Sequence, residues 1–196
     1  MRDVDPWLRA LLDRLDHGDG DAVEEAIAFL EQDPYFFRSG YARERIARRL
    51  ASVDLTPEQK FRARAIVVRT VDGELHCPQP GVGRLARAVG DNPLRRELRT
   101  RLTGSDAKVA RRALRVIVNV RHPGLTNREL EAARAIVLSD AGRNQWLSPT
   151  TARIARYLWS REWEAELRDL LPYHGPDRAA AKRLLQTVKR ERRPDP

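Results

Sequence analysis

Apolar side chains recur along this chain at helical spacing, with little strict alternation. Between residues 105 and 120, Val109, Ala113, Val116, Ile117 and Val120 share one face of a wheel turning about 100° per residue, and Lys108, Arg111, Arg112 and Arg115 share the other. Residues 41–53 set Ile46, Leu50 and Val53 against Arg45, Arg48 and Arg49. Residues 176–191 set Ala180, Leu184 and Val188 against Lys182, Arg183, Lys189 and Arg190. The same period predicts helices near 5–16, 20–32, 41–53, 56–70, 82–90, 93–102, 105–120, 126–139, 149–159, 162–171 and 176–191.

Turn chemistry supports those boundaries. Pro and Gly cluster in "CPQPG" (77–81), "DNP" (91–93), "HPG" (122–124) and "HGP" (174–176). Thr56 with Gln59, and Thr126 with Glu129, read as capping boxes, in which each side chain serves the other residue's backbone N–H. Asn92 and Ser148 precede prolines and read as N-caps, and Asp19 or Asp21 caps the second helix. Residues 67–77 carry an Asp-Gly hairpin signal between β-branched neighbours. A helix end followed by a loop is the preferred reading there, with a small β-hairpin as the alternative.

Parts of the chain are written twice. "ARAIVV" at 63–68 returns as "ARAIVL" at 133–138, and Leu55-Thr56 matches Leu125-Thr126 at the same offset of 70. "RLARAV" at 84–89 matches "RIARYL" at 153–158, and "ELRTRL" at 97–102 matches "ELRDLL" at 166–171, both at an offset of 69. "IARRLASV" (46–53), "VARRALRV" (109–116) and "AAKRLLQTV" (180–188) look like three copies of one helix. A helix with a single apolar stripe cannot bury it alone, so neighbouring copies must cover it. The expected fold is all-α: a right-handed α-solenoid of stacked antiparallel helix pairs, about ten to eleven helices in two tandem units of ~70 residues. One helical-repeat domain would span 1–196, with a helical hairpin cap at 1–34, units at 35–104 and 105–175, and a closing helix with a basic tail at 176–196.

Charge changes the picture. The chain carries a net charge of +9, but residues 1–34 hold ten Asp/Glu against three Arg. The body is therefore strongly basic, which suggests an acidic partner. Of the 37 basic residues only four are Lys. A codon bias toward Arg produces the same ratio with no selection for binding. In stacked repeats, equivalent positions form rows. Arg48/Arg49, Arg111/Arg112 with Arg115, and Lys182/Arg183 would make one basic ridge, and Arg84/Arg87 with Arg153/Arg156 a second. Exposed helix faces also need charge simply to stay solvated.

Short amphipathic helix pairs in tandem, with basic positions recurring in register, resemble HEAT-like or armadillo-like α-solenoids over residues 35–191. The resemblance implies a curved scaffold that binds protein or nucleic acid. Some HEAT-like proteins are base-excision DNA glycosylases with aromatic and acidic residues in a basic groove. Trp146, Trp159 and Trp163 stand near Asp140 here, without a matching spacing.

Other chemistry is thin. "DHGDGD" (16–21) places Gly18, Gly20 and Ile27 where a calcium loop needs oxygen ligands, so it reads as an interhelical turn. "GVG" (81–83) lacks the third glycine and the preceding strand of a phosphate loop and reads as a turn opening a helix. His17, His76, His122 and His174 are scattered, and His76 beside Cys77 lacks a third group to orient it. One cysteine excludes an internal disulfide framework. Tyr35, Phe36 and Phe37 read as a packing plug. No metal, cofactor, catalytic residue or membrane span is expected. The expected function is a cytoplasmic, non-catalytic scaffold that engages an acidic protein through its Arg-rich face. The alternative is sequence-independent nucleic-acid binding.

Overall fold

The computed structural model describes residues 6–36, 38–76, 79–120, 124–143 and 147–191, the side chains of 79 and 189–191 excepted. Phe37, Cys77, His122 and Trp146 lie outside the described residues, as do the side chains of Lys189 and Arg190. Among the described residues there are eleven helices and no strand. They are α1 (Pro6–Asp16), α2 (Gly20–Gln32), α3 (Ser39–Leu50), α4 (Pro57–Asp72), α5 (Gln79–Ala88), α6 (Asn92–Leu102), α7 (Ala107–Asn119), α8 (Asn127–Arg143), α9 (Pro149–Tyr157), α10 (Arg161–Asp169) and α11 (Pro176–Glu191). The chain divides into two compact units, Met1–Pro123 and Gly124–Pro196.

Capping residues set most of these boundaries. Thr56 and Gln59 form the reciprocal box at α4, the backbone N–H of Thr56 donating to Gln59 Oε1 at 3.0 Å. Thr126 and Glu129 repeat it at α8, the Thr126 N–H donating to Glu129 Oε2 at 2.8 Å. Ser148 caps α9, and Asp19, not Asp21, caps α2. The cap of α6 is Asp91, which accepts from Leu94 N at 3.0 Å, so the expectation of Asn92 is corrected by one residue. Pro93 fits because the first helical turn has no intrahelical use for its missing N–H. Asp106 caps α7, and donation from the Val109 and Lys108 N–H groups holds its carboxyl below the usual aspartate value. The alternative hairpin at 67–77 gives way to helix through Asp72, closed by Gly73 at φ 89° in the left-handed region that glycine tolerates.

In the first unit, α1, α3, α5 and α7 follow one another as packed neighbours, and so do α2, α4 and α6. The two series meet through α1 with α2, α2 with α3, α4 with α5, and α6 with α7. Their shared core is leucine-rich: Leu11, Leu15, Leu30, Leu50, Leu85, Leu98 and Leu114 are all fully buried. In the second unit, α8 packs with α9 and α11, and α11 also packs with α9 and α10. Helix α7, with which the sequence begins its second copy, packs on α4, α5 and α6 within the first unit. Those three neighbours bury Ala110 and Leu114 along with the expected stripe, and Val109 ends only half-buried.

The "GVG" stretch is no turn. Both glycines lie inside α5, where they allow close approach. A Cβ on Gly81 would sit 3.0 Å from the Glu44 carbonyl oxygen and 3.1 Å from Glu44 Cα on α3. One on Gly83 would come within 2.5 Å of the Asn119 side chain on α7. These glycines therefore set how closely α5 fits between its neighbours.

Gly81→Leu is expected to cost about 1–3 kcal/mol in urea unfolding, because backbone cannot yield as a side chain can. The carboxylate of Asp106 contributes stability above the ordinary aspartate pKa, and that contribution disappears as pH falls through its lowered native value. The melting-temperature gap between the native chain and Asp106→Asn should therefore narrow as pH drops below about 4.

Candidate functional site

Charge is segregated by helix. Across α3, α5 and α7 there are ten Arg or Lys and a single carboxylate, Glu44. Helix α2 has four carboxylates and no base, and α4 and α6 carry both signs. The basic helices are also consecutive neighbours, so their exposed edges form one face.

Contacts on α5 fix how its arginines point. Gly81 faces α3, while Gly83 and Arg87 face the end of α7, with Arg87 Nε donating to the Asn119 carbonyl at 3.0 Å. Arg84 lies between these two edges and is exposed. On α3, Arg48 is exposed on the α5 side and pairs with Glu44 one turn earlier. On α7, Arg115 lies one turn before Asn119 and is half-exposed. Arg48, Arg84 and Arg115 thus project from three successive helices. Tyr41, about half exposed, adds an aromatic ring with the Arg45 guanidinium 5.6 Å from its centroid.

The remaining ridge positions turn elsewhere. Arg49 pairs with Asp16, the last residue of α1, at 3.1 Å. Arg112 donates to the Val71 carbonyl and, at 2.9 Å, to that of Asp72, both at the end of α4. Gly73 makes room, since a Cβ there would lie 2.7 Å from Arg112 Nη2. In the second unit Arg183 makes the equivalent contact, donating to the Gly142 carbonyl near the end of α8 at 3.4 Å. Three basic residues aligned by the sequence copies therefore each reach a helix C-terminus, where carbonyls lack intrahelical donors. Arg111 is half-buried and engaged. In the second unit Arg153 and Lys182 are exposed, and Arg156 Nε donates to the Ala152 carbonyl of its own helix.

Two features escape sequence reasoning. Arg43 is only 3 % exposed, with Nε 2.7 Å from Asp33 Oδ1 and Nη2 donating to the Pro34 carbonyl at 2.7 Å. Asp33 closes α2 in a left-handed conformation and also accepts from the His76 backbone N–H at 3.0 Å. No periodicity distinguishes this arginine from its exposed neighbours. The second feature is a groove between α4 and α6, floored by Phe61, Val68 and Leu94. Its one sequence signal is Phe61, an aromatic off the apolar stripe of α4.

The acidic hairpin α1–α2 spends much of its charge on the body. Besides the contacts to Arg43 and Arg49, Glu24 and Glu31 each lie 2.6 Å from the Arg62 guanidinium. Those carboxylates, Glu31 foremost, push the Arg62 pKa above its ordinary value. The packing plug is partial: Phe36 meets Phe29 edge-on at 6.2 Å, but Tyr35 is exposed. Trp163, 3 % exposed, meets Trp159 edge-on at 5.5 Å, so it offers no open stacking platform. Among the described residues no group of three or more His, Cys, Asp or Glu side chains is placed to hold a metal ion.

Arg43→Met is expected to cost about 3–5 kcal/mol in chemical unfolding, since it takes from the largely buried Asp33 its guanidinium partner. Arg84→Ala should stay within about 0.5 kcal/mol of the native chain in the same measurement. Set against models of known families, characterised proteins and solved structures, the chain matches none of them.

Proposed function

We propose that this chain is a non-catalytic helical-repeat scaffold that engages an acidic protein through the α3–α5–α7 face. The observation that carries the reading is that Arg48, Arg84 and Arg115 project from three helices that pack side by side and that hold a single carboxylate, Glu44, which pairs with Arg48. Arg48, Arg84 and Arg115 are the proposed contacts, with Arg153 and Lys182 as exposed cations of the second unit.

A stacked-hairpin, solenoid-like arrangement within each unit is part of the same reading. The neighbour series α3, α5, α7 and α2, α4, α6 supports it, as do the hairpins α2/α3, α4/α5 and α6/α7. Equivalent contacts in the two units support a tandem duplication: two capping boxes offset by 70, and Arg112 and Arg183 at the ends of α4 and α8. Packed helices stand about 8–10 Å apart. Cations at that interval suit carboxylates displayed on one face of a partner helix or strand, more than the continuous file of phosphates on a nucleic acid. Among the described residues the face carries one exposed aromatic, Tyr41, where stacking on bare bases uses a series.

Fluorescence anisotropy with a labelled glutamate-rich peptide and with duplex and single-stranded DNA tests the proposal. The peptide should bind the native chain at low salt, and Arg84→Glu with Arg115→Glu should weaken it by about tenfold or more with an unchanged melting temperature. No binding of any probe would overturn the proposal. Tighter binding of DNA, with a log–log salt slope steeper than about −3, would replace the protein partner by a nucleic acid.

A further inference from the structure

Among the differences between the two units, Leu94 stands where the second unit has Trp163, and a groove lies beside Leu94 in the first. Arg64 on α4 stands 70 residues before Arg134 on α8. Asp91 and Leu94 stand 69 residues before Ser160 and Trp163. The arginines make matching contacts. Arg64 donates to Asp91, the N-cap of α6, and Arg134 donates to Ser160 Oγ, the N-cap of α10, at 3.0 Å.

Their aromatic partners are not the same. In the second unit the Arg134 guanidinium lies 5.6 Å from the centroid of the buried Trp163 indole. In the first, Leu94 has no ring to offer, and Arg64 lies 5.6 Å from the ring of Phe61 on its own helix. Phe61 remains 60 % exposed. Between α4 and α6 is a groove of about 550 Å³ walled by Phe61, Ala65, Val68, Pro93 and Leu94. Its rim charges are already matched: Arg64 with Asp91, and Arg101 with Glu97 and with Asp72 at 2.6 Å. Within a chain of net charge +9, this groove has a balanced rim over an apolar floor.

We propose that the α4–α6 groove is a docking site for a tryptophan side chain presented by an uncharged segment of a partner protein. In the second unit an indole stands at the equivalent position, beside the arginine that donates to the N-cap residue of α10. Rim charge selects the rest of the occupant. A charged segment would find no free counter-charge there and would lose solvation against an apolar floor. An indole in a desolvated pocket beside a guanidinium combines apolar burial with attraction between cation and ring. The proposal stands apart from the basic face, which is built from α3, α5 and α7.

The test is a titration of the methyl-labelled full chain, read by NMR at Ala65, Val68 and Leu94. The probes are a short neutral peptide bearing one tryptophan, the same peptide with alanine in its place, and N-acetyl-tryptophanamide. The tryptophan peptide should shift these methyls and bind about tenfold or more tighter than the alanine peptide. Leu94→Trp, which copies the second unit, should weaken that peptide about tenfold or more with helical circular dichroism retained. If that variant unfolds, Phe61→Ala at an exposed position decides, with a loss of about fivefold or more. Equal binding of both peptides, or indifference to both substitutions, would overturn the proposal. Equal affinity for the free amide would overturn it in favour of a small-molecule site. Both variants should still bind the glutamate-rich peptide, so failure here is separate from failure of the basic face.

Discussion

An α-helix ends in carbonyl groups that have no donor within the helix, and the eleven helices among the described residues must find partners for many of them. This chain repeatedly sends an arginine from another helix to do so. Arg112 reaches the end of α4, Arg183 the end of α8, and Arg43 the loop that closes α2. Arg49 meets the terminal carboxylate of α1. A planar guanidinium can donate to two acceptors at once, as Arg112 does with Val71 and Asp72, while a lysine ammonium is a single flexible point of charge. Geometry of this kind gives part of the arginine excess a structural cause.

Arginines of this class bring charge into the fold, and the acidic hairpin offsets much of it. Asp16, Glu24, Glu31 and Asp33 are all spent on body arginines. On the other side of the first unit, Asp72 and Glu97 hold Arg101 and raise its pKa, with Asp72 the larger influence. Of the arginines on α3, α5 and α7, Arg84 and Arg115 keep an outward place beside the Arg48–Glu44 pair, and α6 adds the exposed Arg96.

The helices were legible because their signals are local. Apolar period and capping chemistry require only a few residues of context, and the boxes at Thr56 and Thr126 form as written. Asn92 misled because Asp91 and Asn92 are both capping residue types, and only the backbone decides which one flanks the helix. The glycines of "GVG" misled for a different reason: a glycine needed for close approach by α3 looks the same in sequence as one needed for a turn. Ridge membership was the least legible property. Arg111, Arg112 and Arg115 share one helix face in sequence, yet Arg112 is drawn to α4 by open carbonyls that no pattern on α7 reveals. The α4–α6 groove was equally hidden, because its lining comes from two helices whose pairing no local pattern reveals.

Indole placement has a practical consequence. Trp7, in the first unit, keeps contact with water at 37 % exposure and donates to Glu25, while Trp163, in the second, is sealed from solvent against Trp159. Emission colour is thus an internal label. Light from the buried Trp163 should be blue relative to that from Trp7 and should redden when Gly124–Pro196 opens. With Trp146 and Trp159 replaced by Phe, the two helical units, alike in circular dichroism, can be followed apart in one molecule.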